Sequence, residues 1–253
     1  VNYKTNMNVD SIKLKGNVVQ GINVNGKFFS CDLIISGADY AHTESLLPKI
    51  YRQYSQEYWK KKTWAPSSLL FYVGFDTKIP KVEHHNLFFD TNFDEHAQDI
   101  YDKPKWPSDP LFYANFTSKT FSKTAPNGYE NGFFLIPIAT NLKDTNEIRD
   151  HYFDIVISRL EKHIGKKLRK NIIFKESFCV NDFKNVYNSY GGNAYGLANT
   201  LFQTAFLRPN LRSNKVKNLY FSGQLTVPGP GVPPAIVSGQ LVSDLIIKDE
   251  KII

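Results

Sequence analysis

A proline- and glycine-rich turn between two apolar segments constrains the fold of this chain more than any other feature. The stretch LYFSGQLTVPGPGVPPAIVSGQLVSDLI, residues 219–246, opens as a short apolar strand that stops at a glycine, Gly223. After the turn, the apolar spacing of residues 235–247 is typical of a helix. A chain of 253 residues can build one or two domains with a sizeable core, so both segments can be buried.

The residues of the turn allow two interpretations. Pro233 or Pro234 suits the first turn of a helix, where a missing N–H group costs nothing. Gly229 and Gly231 permit a sharp change of direction and expose backbone N–H groups at the helix N-terminus. That end of a helix carries partial positive charge and binds anions or electron-rich groups. The turn is therefore either a ligand site or a rigid strand-to-helix corner, and these residues alone leave both open.

A second strand with the same ending comes early in the chain. Residues 9–29 alternate and turn like a hairpin, with Asn25-Gly26 as the signal for a tight two-residue turn. Residues 33–35 are predicted to form a fully buried strand of a parallel sheet that stops at Gly37. Two buried strands that each end at a glycine are typical of a nucleotide-binding sheet at its ligand edge, although strands of other enzymes share this ending.

The middle of the chain predicts a separate sheet with helices. Residues 41–62 have a helical pattern that Pro48 interrupts, and residues 144–164 have helical apolar spacing. A glycine- and tyrosine-rich loop at residues 190–197 is either functional or an ordinary connection between domains. Strands are predicted at residues 67–75, 86–90, 111–117, 132–139 and 172–178.

The charge pattern argues against several classes of protein. The net charge of +7 comes from basic residues that cluster only in short runs, at residues 60–62 and 166–170. Those runs are either solvated faces or contacts for anionic lipid headgroups, and no nucleic-acid recognition motif accompanies them. His84 and His85 are adjacent rather than one helical turn apart and the other four histidines are scattered, so no metal site is expected. Asp39 and Asp182 could transfer protons, but capping or turn roles are the simpler interpretation.

Cysteine usage and the length of apolar runs bear on location. Cys31 and Cys179 belong to no CxxC motif, which indicates a reducing cytoplasm, and both are expected to pack as small apolar residues. No apolar run reaches the roughly 18 residues that a membrane-spanning helix needs. The sequence opens with neither a signal peptide nor Met, so we expect a piece of a longer protein.

The turn also carries a resemblance to a known family. NLYFSGQLTVPGPGVPPAIVSGQLVSDLI resembles the C-terminal flavin-binding signature of the bacterial phytoene desaturase (carotenoid desaturase) family. GGNAYGLANTLFQTAFLRP resembles the family segment before this signature, and CDLIISGADYAHTESLLP resembles the strand that returns to the flavin domain. The resemblance implies that FAD contacts Gly223, Gln224, Thr226, Pro228, Gly229, Gly231, Val232 and Pro233. It also implies a substrate channel at Tyr195, Gly196 and Phe202.

The resemblance implies an α/β (α+β) fold in two domains. One is part of a Rossmann-like FAD-binding domain of the glutathione-reductase-like superfamily, expected at residues 1–45 and 200–253. The other is a substrate-binding domain with a mixed sheet and helices, expected at residues 46–199. The G-x-G-x-x-G segment with which the family begins is absent from this sequence. The chain therefore resembles the C-terminal half of such an enzyme and is expected to be inactive alone.

The implied activity is removal of hydrogen from a carotenoid precursor such as phytoene, with hydride transfer from an allylic carbon to flavin. Val227-Pro228 stands where many family members carry His-Pro, and the catalytic base stays unassigned. The expected partners are a long apolar polyene and a membrane, bound peripherally at its cytoplasmic face. The alternatives are a carotenoid isomerase, a retinoid saturase-like flavoenzyme, and a non-catalytic lipid-binding module.

Overall fold

The fold is that of a computed structural model, which describes residues 1–249. Its strands are β1 (Val9–Lys15), β2 (Val18–Val24), β3 (Lys27–Ser30), β4 (Ile34–Ser36), β5 (Ser67–Phe75), β6 (His85–Phe88), β7 (Phe112–Asn115), β8 (Glu130–Ile138), β9 (Ile172–Phe178) and β10 (Leu219–Phe221). Its helices are α1 (Tyr40–Ser45), α2 (Gln56–Lys60), α3 (Phe93–Tyr101), α4 (Asn146–Ile164), α5 (Val180–Tyr187) and α6 (Val232–Asp249).

The chain divides into two compact units. Unit 2 comprises Pro66–Val186 and Gly191–Ala194, and unit 1 comprises Val1–Ala65, Tyr187–Tyr190 and the chain from Tyr195 onward. The domains predicted from the sequence change at residues 45 and 199, which are not the limits of these units. The difference arises because α2 belongs to the core of unit 1, where Trp59 is buried against Tyr40.

The predicted hairpin forms a three-stranded antiparallel sheet in unit 1, in the order β1-β2-β3. Asn25 and Gly26 both have positive φ, of 50° and 75°. This is the backbone that a tight two-residue hairpin turn requires, and asparagine followed by glycine tolerates it best. The local prediction is confirmed.

The two strands that end at glycines pair with each other. β4 and β10 form a parallel sheet in which Ile34 lies opposite Leu219 and Ser36 lies opposite Phe221. The parallel pairing that the sequence predicted is confirmed, but full burial of residues 33–35 is wrong, because the Ile35 side chain is 50% exposed. The apolar side chains of α6 pack on Tyr220 of β10, and they leave Ile35 on the neighbouring strand uncovered.

The helix predicted at residues 41–62 is broken, as Pro48 indicated. α1 ends before Pro48, a single 3-10 turn follows at Lys49–Tyr51, and α2 comes after it. The break lets aromatic rings from separate segments meet in one core. The Tyr40 ring stacks on Phe221 with 3.7 Å between centroids.

Unit 2 is built on a five-stranded sheet in the order β6-β7-β8-β5-β9. Alternate residues of β8 are buried, including Phe134 and Ile136, and they share a core with Val156 and Leu160 of α4. Every described pairing in this sheet is antiparallel, so the predicted mixed sheet is corrected in strand direction. The alternating burial agrees with an antiparallel sheet that has one covered face.

The sequence located most elements of unit 2. β5 and β9 occupy residues 67–75 and 172–178, as predicted, and α4 starts two residues after the expected position. Thr145 caps α4 by accepting a hydrogen bond from the N–H of Ile148, and Gly165 ends it with a φ of 73°. Two helices, α3 and α5, were not predicted. Within residues 1–249, no helix is both long and apolar enough to cross a membrane.

Candidate functional site

The carboxyl ends of β4 and β10 bring two glycines side by side in unit 1. The N–H of Ser222 donates to the carbonyl oxygen of Ser36 at 2.9 Å, which continues the pairing past the last strand residue. A Cβ atom added to Gly223 would lie 3.8 Å from the carbonyl oxygen of Gly37. Gly223 has a φ of 102°, a backbone that side chains disfavour. Glycines therefore stand at the edge of the sheet where ligands of parallel sheets bind, and they allow close approach to the backbone.

Hydrogen bonds fasten the start of the turn to α6. The N–H of Gly223 donates to Oγ of Ser238 at 2.7 Å, and that hydroxyl donates to the carbonyl oxygen of Ala235. The side chain of Thr226 is fully buried, and its Oγ1 donates to the carbonyl oxygen of Gly223 at 2.8 Å. No feature of the sequence predicted this bridging role of Ser238.

The tip of the turn contains the predicted glycines and a cis peptide bond between Val227 and Pro228. Gly229 is buried with a φ of 132°, and Gly231 is exposed with a φ of 114°. Both values lie where glycine is strongly favoured, so the chain can make this turn only with residues of this kind. The two glycines thus have different surroundings, one against protein and the other open to solvent.

The N-terminus of α6 offers fewer backbone donors than its sequence position predicts. α6 begins at Val232, so Pro233 and Pro234 both lie in its first turn, as predicted. Neither proline carries an N–H group. Of the first three residues of α6, only Val232 can donate from its backbone, and Gly231 adds the N–H that precedes the helix. The prolines fix the helix start but remove two of the donors that such an end normally presents.

A buried arginine supports the turn. Arg208 is 3% exposed, and its guanidinium donates to the carbonyl oxygens of Gln224 and Leu197 at 3.2 and 3.1 Å. It also donates to Oδ1 of Asn199, so these three acceptors carry no formal negative charge. Burial lowers the pKa of Arg208 from its usual value. Its Nε is buried without a hydrogen-bond partner among the described residues. Gly229 lies against this group, because an added Cβ would come within 3.1 Å of it.

The predicted channel residues lie in different surroundings. Gly196 has a φ of 79°, and an added Cβ would be 3.1 Å from the carbonyl oxygen of Gln224, so Gly196 lies next to the turn. Tyr195 is 40% exposed and Phe202 is 77% exposed. That these three residues line a channel stays a prediction.

The carboxylates considered for proton transfer have structural partners. Asp39 caps α1 by accepting from the N–H of His42 at 3.1 Å. Asp182 accepts from the N–H of Cys179 at 2.8 Å and pairs with the guanidinium of Arg149 at 2.7 Å. The capping and turn roles expected for the two aspartates are confirmed. The chemistry of the candidate site therefore depends on backbone groups, on apolar side chains and on Arg208.

Residues 1–247 match the family of flavin-containing amine oxidoreductases, and the chain belongs to this family. The family is defined by a flavin, which agrees with a ligand edge of a parallel sheet that carries glycines at both strand ends.

Sequence relatives include carotenoid enzymes. The chain is 42% identical over 250 residues to a carotenoid 3,4-desaturase of Haloarcula japonica, covering 98% of this chain and 50% of the relative. It is 31% identical to a 4,4'-diaponeurosporene oxygenase of Staphylococcus aureus, covering 97% of this chain and 50% of the relative. It is 27% identical to a 4,4'-diapolycopen-4-al dehydrogenase of Metabacillus indicus, covering 99% and 50%. The chain thus spans about half the length of these relatives.

Solved structures share the fold at low sequence identity. An oxidoreductase from Methanosarcina mazei superposes with a TM-score of 0.56 and 13% identity, over 94% of this chain and 49% of that one. A putrescine oxidase variant superposes with a TM-score of 0.55 and 12% identity, over 96% and 49%. These similarities confirm the predicted fold class.

The residues of the turn fit a flavin ring. Such a ring has hydrogen-bond acceptors along its edge and apolar faces. Gly231 and Val232 offer N–H groups next to each other, and Val232 and Ile236 of α6 are 75% and 70% exposed apolar side chains. The buried Nε of Arg208 adds positive charge directly below the turn. Backbone donors, open apolar side chains and a buried cation are the set that an electron-accepting aromatic ring requires.

Proposed function

We propose that this chain is part of an FAD-dependent carotenoid desaturase, which turns a C–C single bond of a long polyene precursor such as phytoene into a double bond. The observation that carries the proposal is the 42% identity to a carotenoid 3,4-desaturase over almost the whole chain. Other relatives carry the names of an oxygenase and a dehydrogenase. Desaturation is preferred because the desaturase shares more residues with this chain.

Desaturation removes two hydrogens from neighbouring carbons, one with its electron pair and the other as a proton. A flavin, when bound, supplies the acceptor for the hydride. In this chain, the N–H groups of Gly231 and Val232 would hold the cofactor edge at the turn. Arg208 would stabilise negative charge that develops there, because a buried cation acts through a low dielectric.

The remaining residues of the turn would position the cofactor and exclude water. They would not transfer protons. None of Gln224, Thr226, Pro228 and the three turn glycines has a side chain that titrates near neutral pH. Val232, Ile236 and Val237 present apolar side chains on α6, which would keep water from the reacting carbons. The proton must therefore leave to a group outside the turn.

Membrane contact is the second part of the proposal, since a long hydrocarbon substrate partitions into lipid. A short segment of unit 1 with two 3-10 turns exposes four large apolar side chains between residues 201 and 207. Phe202 is 77% exposed and Phe206 is 87% exposed. Apolar rings on a chain of net charge +7 suit the interface of an anionic bilayer. We propose that this segment, the 201–207 loop, dips into the membrane surface.

Vesicle co-sedimentation tests the membrane proposal. Replacing both Phe202 and Phe206 with Ser is expected to lower the fraction bound to phosphatidylglycerol vesicles by about fivefold or more, because two rings leave the lipid. Phe121→Ser is the matched control, since Phe121 is 63% exposed but belongs to unit 2. Equal binding of the double variant and the control would remove the 201–207 loop from the proposal.

Pigment formation in phytoene-accumulating cells tests the enzymatic proposal. The chain is expressed alone, and also together with the part of the Haloarcula japonica desaturase that it does not cover. Long-wavelength polyene bands are expected in the second case and are expected to be lost with Gly231→Val, because the exposed turn would be strained and obstructed. Gly16→Val is the matched control, since Gly16 also has positive φ and open space around it.

The outcomes separate the alternatives. Unchanged phytoene together with a yellow, FAD-containing protein would support the flavin assignment and refute phytoene as the substrate. The isomerase or the saturase-like flavoenzyme would then be favoured. Unchanged phytoene with a folded, colourless protein would favour a lipid-binding module. New polyene bands that persist with Gly231→Val would disconnect the turn from the reaction.

A further inference from the structure

Unit 2 contains an apolar cavity that the flavin turn does not involve. It lies between α3 and the sheet and has a volume of about 340 Å³, near the lower limit for small-molecule pockets. Its walls include Leu87, Phe93, Ala97, Tyr113, Leu135 and Pro137. We call this cavity the α3 pocket.

The register of the sheet builds the floor of the α3 pocket. Leu87 of β6 pairs with Tyr113 of β7, and Tyr113 pairs with Leu135 of β8, so the three side chains lie on one face. The neighbouring residue Phe134 is fully buried on the opposite face, in the core that α4 shares. The pocket therefore occupies the second face of the sheet, where α3 stands off from the strands.

The imidazole in the pocket wall already has hydrogen-bond partners for both of its nitrogens. His96 of α3 is 4% exposed, and its Nδ1 accepts from the N–H of Leu111 at 2.9 Å. Its Nε2 donates to the carbonyl oxygen of Pro137 at 2.7 Å. With both nitrogens occupied, the imidazole offers the pocket only carbon atoms. A polar ligand would gain no hydrogen bond from this ring to offset its lost hydration, whereas a hydrocarbon would lose nothing.

The rim of the α3 pocket is exposed and apolar. Leu87, Phe89 and Phe93 are 65%, 58% and 62% exposed. Large apolar side chains grouped at the mouth of an apolar cavity mark a binding surface more often than an ordinary face. Covering each of them with a ligand is favourable, because apolar surface is removed from water.

We infer that the α3 pocket binds the apolar end of an isoprenoid hydrocarbon chain. The inference rests on the proposed function, which makes a long polyene the substrate, and it adds where one end of that chain is held. The pocket volume suits one end of such a chain, and the exposed rim accepts the part that continues outward. The α3 pocket would thus help to set which chain ends the enzyme accepts.

Fluorescence titration of the purified chain with diphenylhexatriene, an apolar polyene probe, tests the inference. Ala97→Phe fills the pocket from α3, and Gln98→Phe adds the same ring on the exposed side of the same helix. We expect Ala97→Phe to raise the Kd by about tenfold or more and Gln98→Phe to change it by less than about twofold. Ala97→Leu, a smaller filling change, is expected to fall between them and serves if the Phe variant does not fold.

Competition identifies the class of ligand. Squalene, a branched isoprenoid hydrocarbon, is expected to displace the probe at lower concentration than hexadecane, which imitates a lipid acyl chain. Equal Kd values for Ala97→Phe and Gln98→Phe would overturn the pocket, and preferred displacement by hexadecane would overturn the isoprenoid assignment. If the titrations give the expected Kd values but the cells form no carotenoid products, the proposed desaturation is refuted and the α3 pocket remains supported. If the cells form carotenoid products but the chain does not bind the probe, the α3 pocket is refuted and the proposed desaturation remains supported.

Discussion

Glu44 makes unit 1 less stable as the pH rises, and its replacement by Gln should remove this pH dependence. Glu44 lies in α1 and is 2% exposed. Burial raises the pKa of its carboxyl group to about 6 from an ordinary 4.5, although the N–H groups of Gln53 and Tyr54 donate to Oε1 and offset part of the effect. Between these two values the folded chain holds more protons than the unfolded chain. Stability therefore falls as the pH rises from 4.5 to 6.

The size of the effect follows from the difference between the two pKa values. A difference of one corresponds to 1.36 kcal/mol, so the charged form of Glu44 costs the fold about 2 kcal/mol above pH 6. Gln keeps the acceptor oxygen and cannot ionise. Glu44→Gln should match the wild type near pH 4.5 and exceed its free energy of unfolding by up to about 2 kcal/mol near pH 8.

Urea unfolding followed by tryptophan fluorescence measures this difference. Trp59 and Trp64 report on unit 1, and a Trp106→Phe background removes the signal of unit 2. Glu57→Gln is the control, because Glu57 is exposed and hydrogen bonds lower its pKa, so this replacement should add no stability at high pH. A difference between Glu44→Gln and the wild type that is constant from pH 4.5 to pH 8 would refute the assignment of this cost to Glu44.

Two further predictions concern other parts of the chain. Gly229→Ala should destabilise unit 1 by about 1–3 kcal/mol, because the φ of Gly229 is 132° and the new Cβ would press on Arg208. Gly239→Ala, in open space on α6, should instead stabilise unit 1 by about 0.5–1 kcal/mol. Urea unfolding that gives both free-energy changes the same sign would contradict this prediction. Burial lowers the pKa of His96, so unit 2 should lose stability as the pH falls below about 6.5, and His96→Gln should flatten that dependence in thermal melts from pH 7.5 to pH 5. An unchanged slope in the variant would assign the effect to another group.

Local signals in the sequence located much of the fold. The Asn25-Gly26 turn and the strand at residues 67–75 follow from short-range rules, and the structure agrees with both. α3 was missed although its start carries a readable signal. Asn92 accepts from the N–H groups of Asp94 and Glu95, and its amide donates back to Glu95. An asparagine followed three residues later by glutamate is a capping pattern, and few apolar residues follow to strengthen it.

The sequence predicted where the candidate site lies, but it did not predict the buried Arg208 that supports the turn. The glycines at the two strand ends indicated the ligand edge, because their spacing relative to apolar runs is local information. The loss of helix donors to Pro233 and Pro234 was also readable, since proline has no N–H. The burial of Arg208 was not. A lone arginine is expected at the surface, and only the tertiary placement of Gln224 and Leu197 supplies its acceptors.

The pairing of β4 with β10 joins the two ends of unit 1 around the whole of β5–β9 and α3–α5. During synthesis, most of unit 2 is a continuous segment and can fold as soon as it leaves the ribosome. Unit 1 must wait, since β4 has its strand partner, and Tyr40 its stacked ring, only after Phe221 has been made. A stop codon between Ala194 and Leu219 would therefore leave unit 2 able to fold and the first sixty residues without their parallel strand and much of their core. Those sixty residues would then be an incompletely folded target for proteases, joined to a folded unit 2.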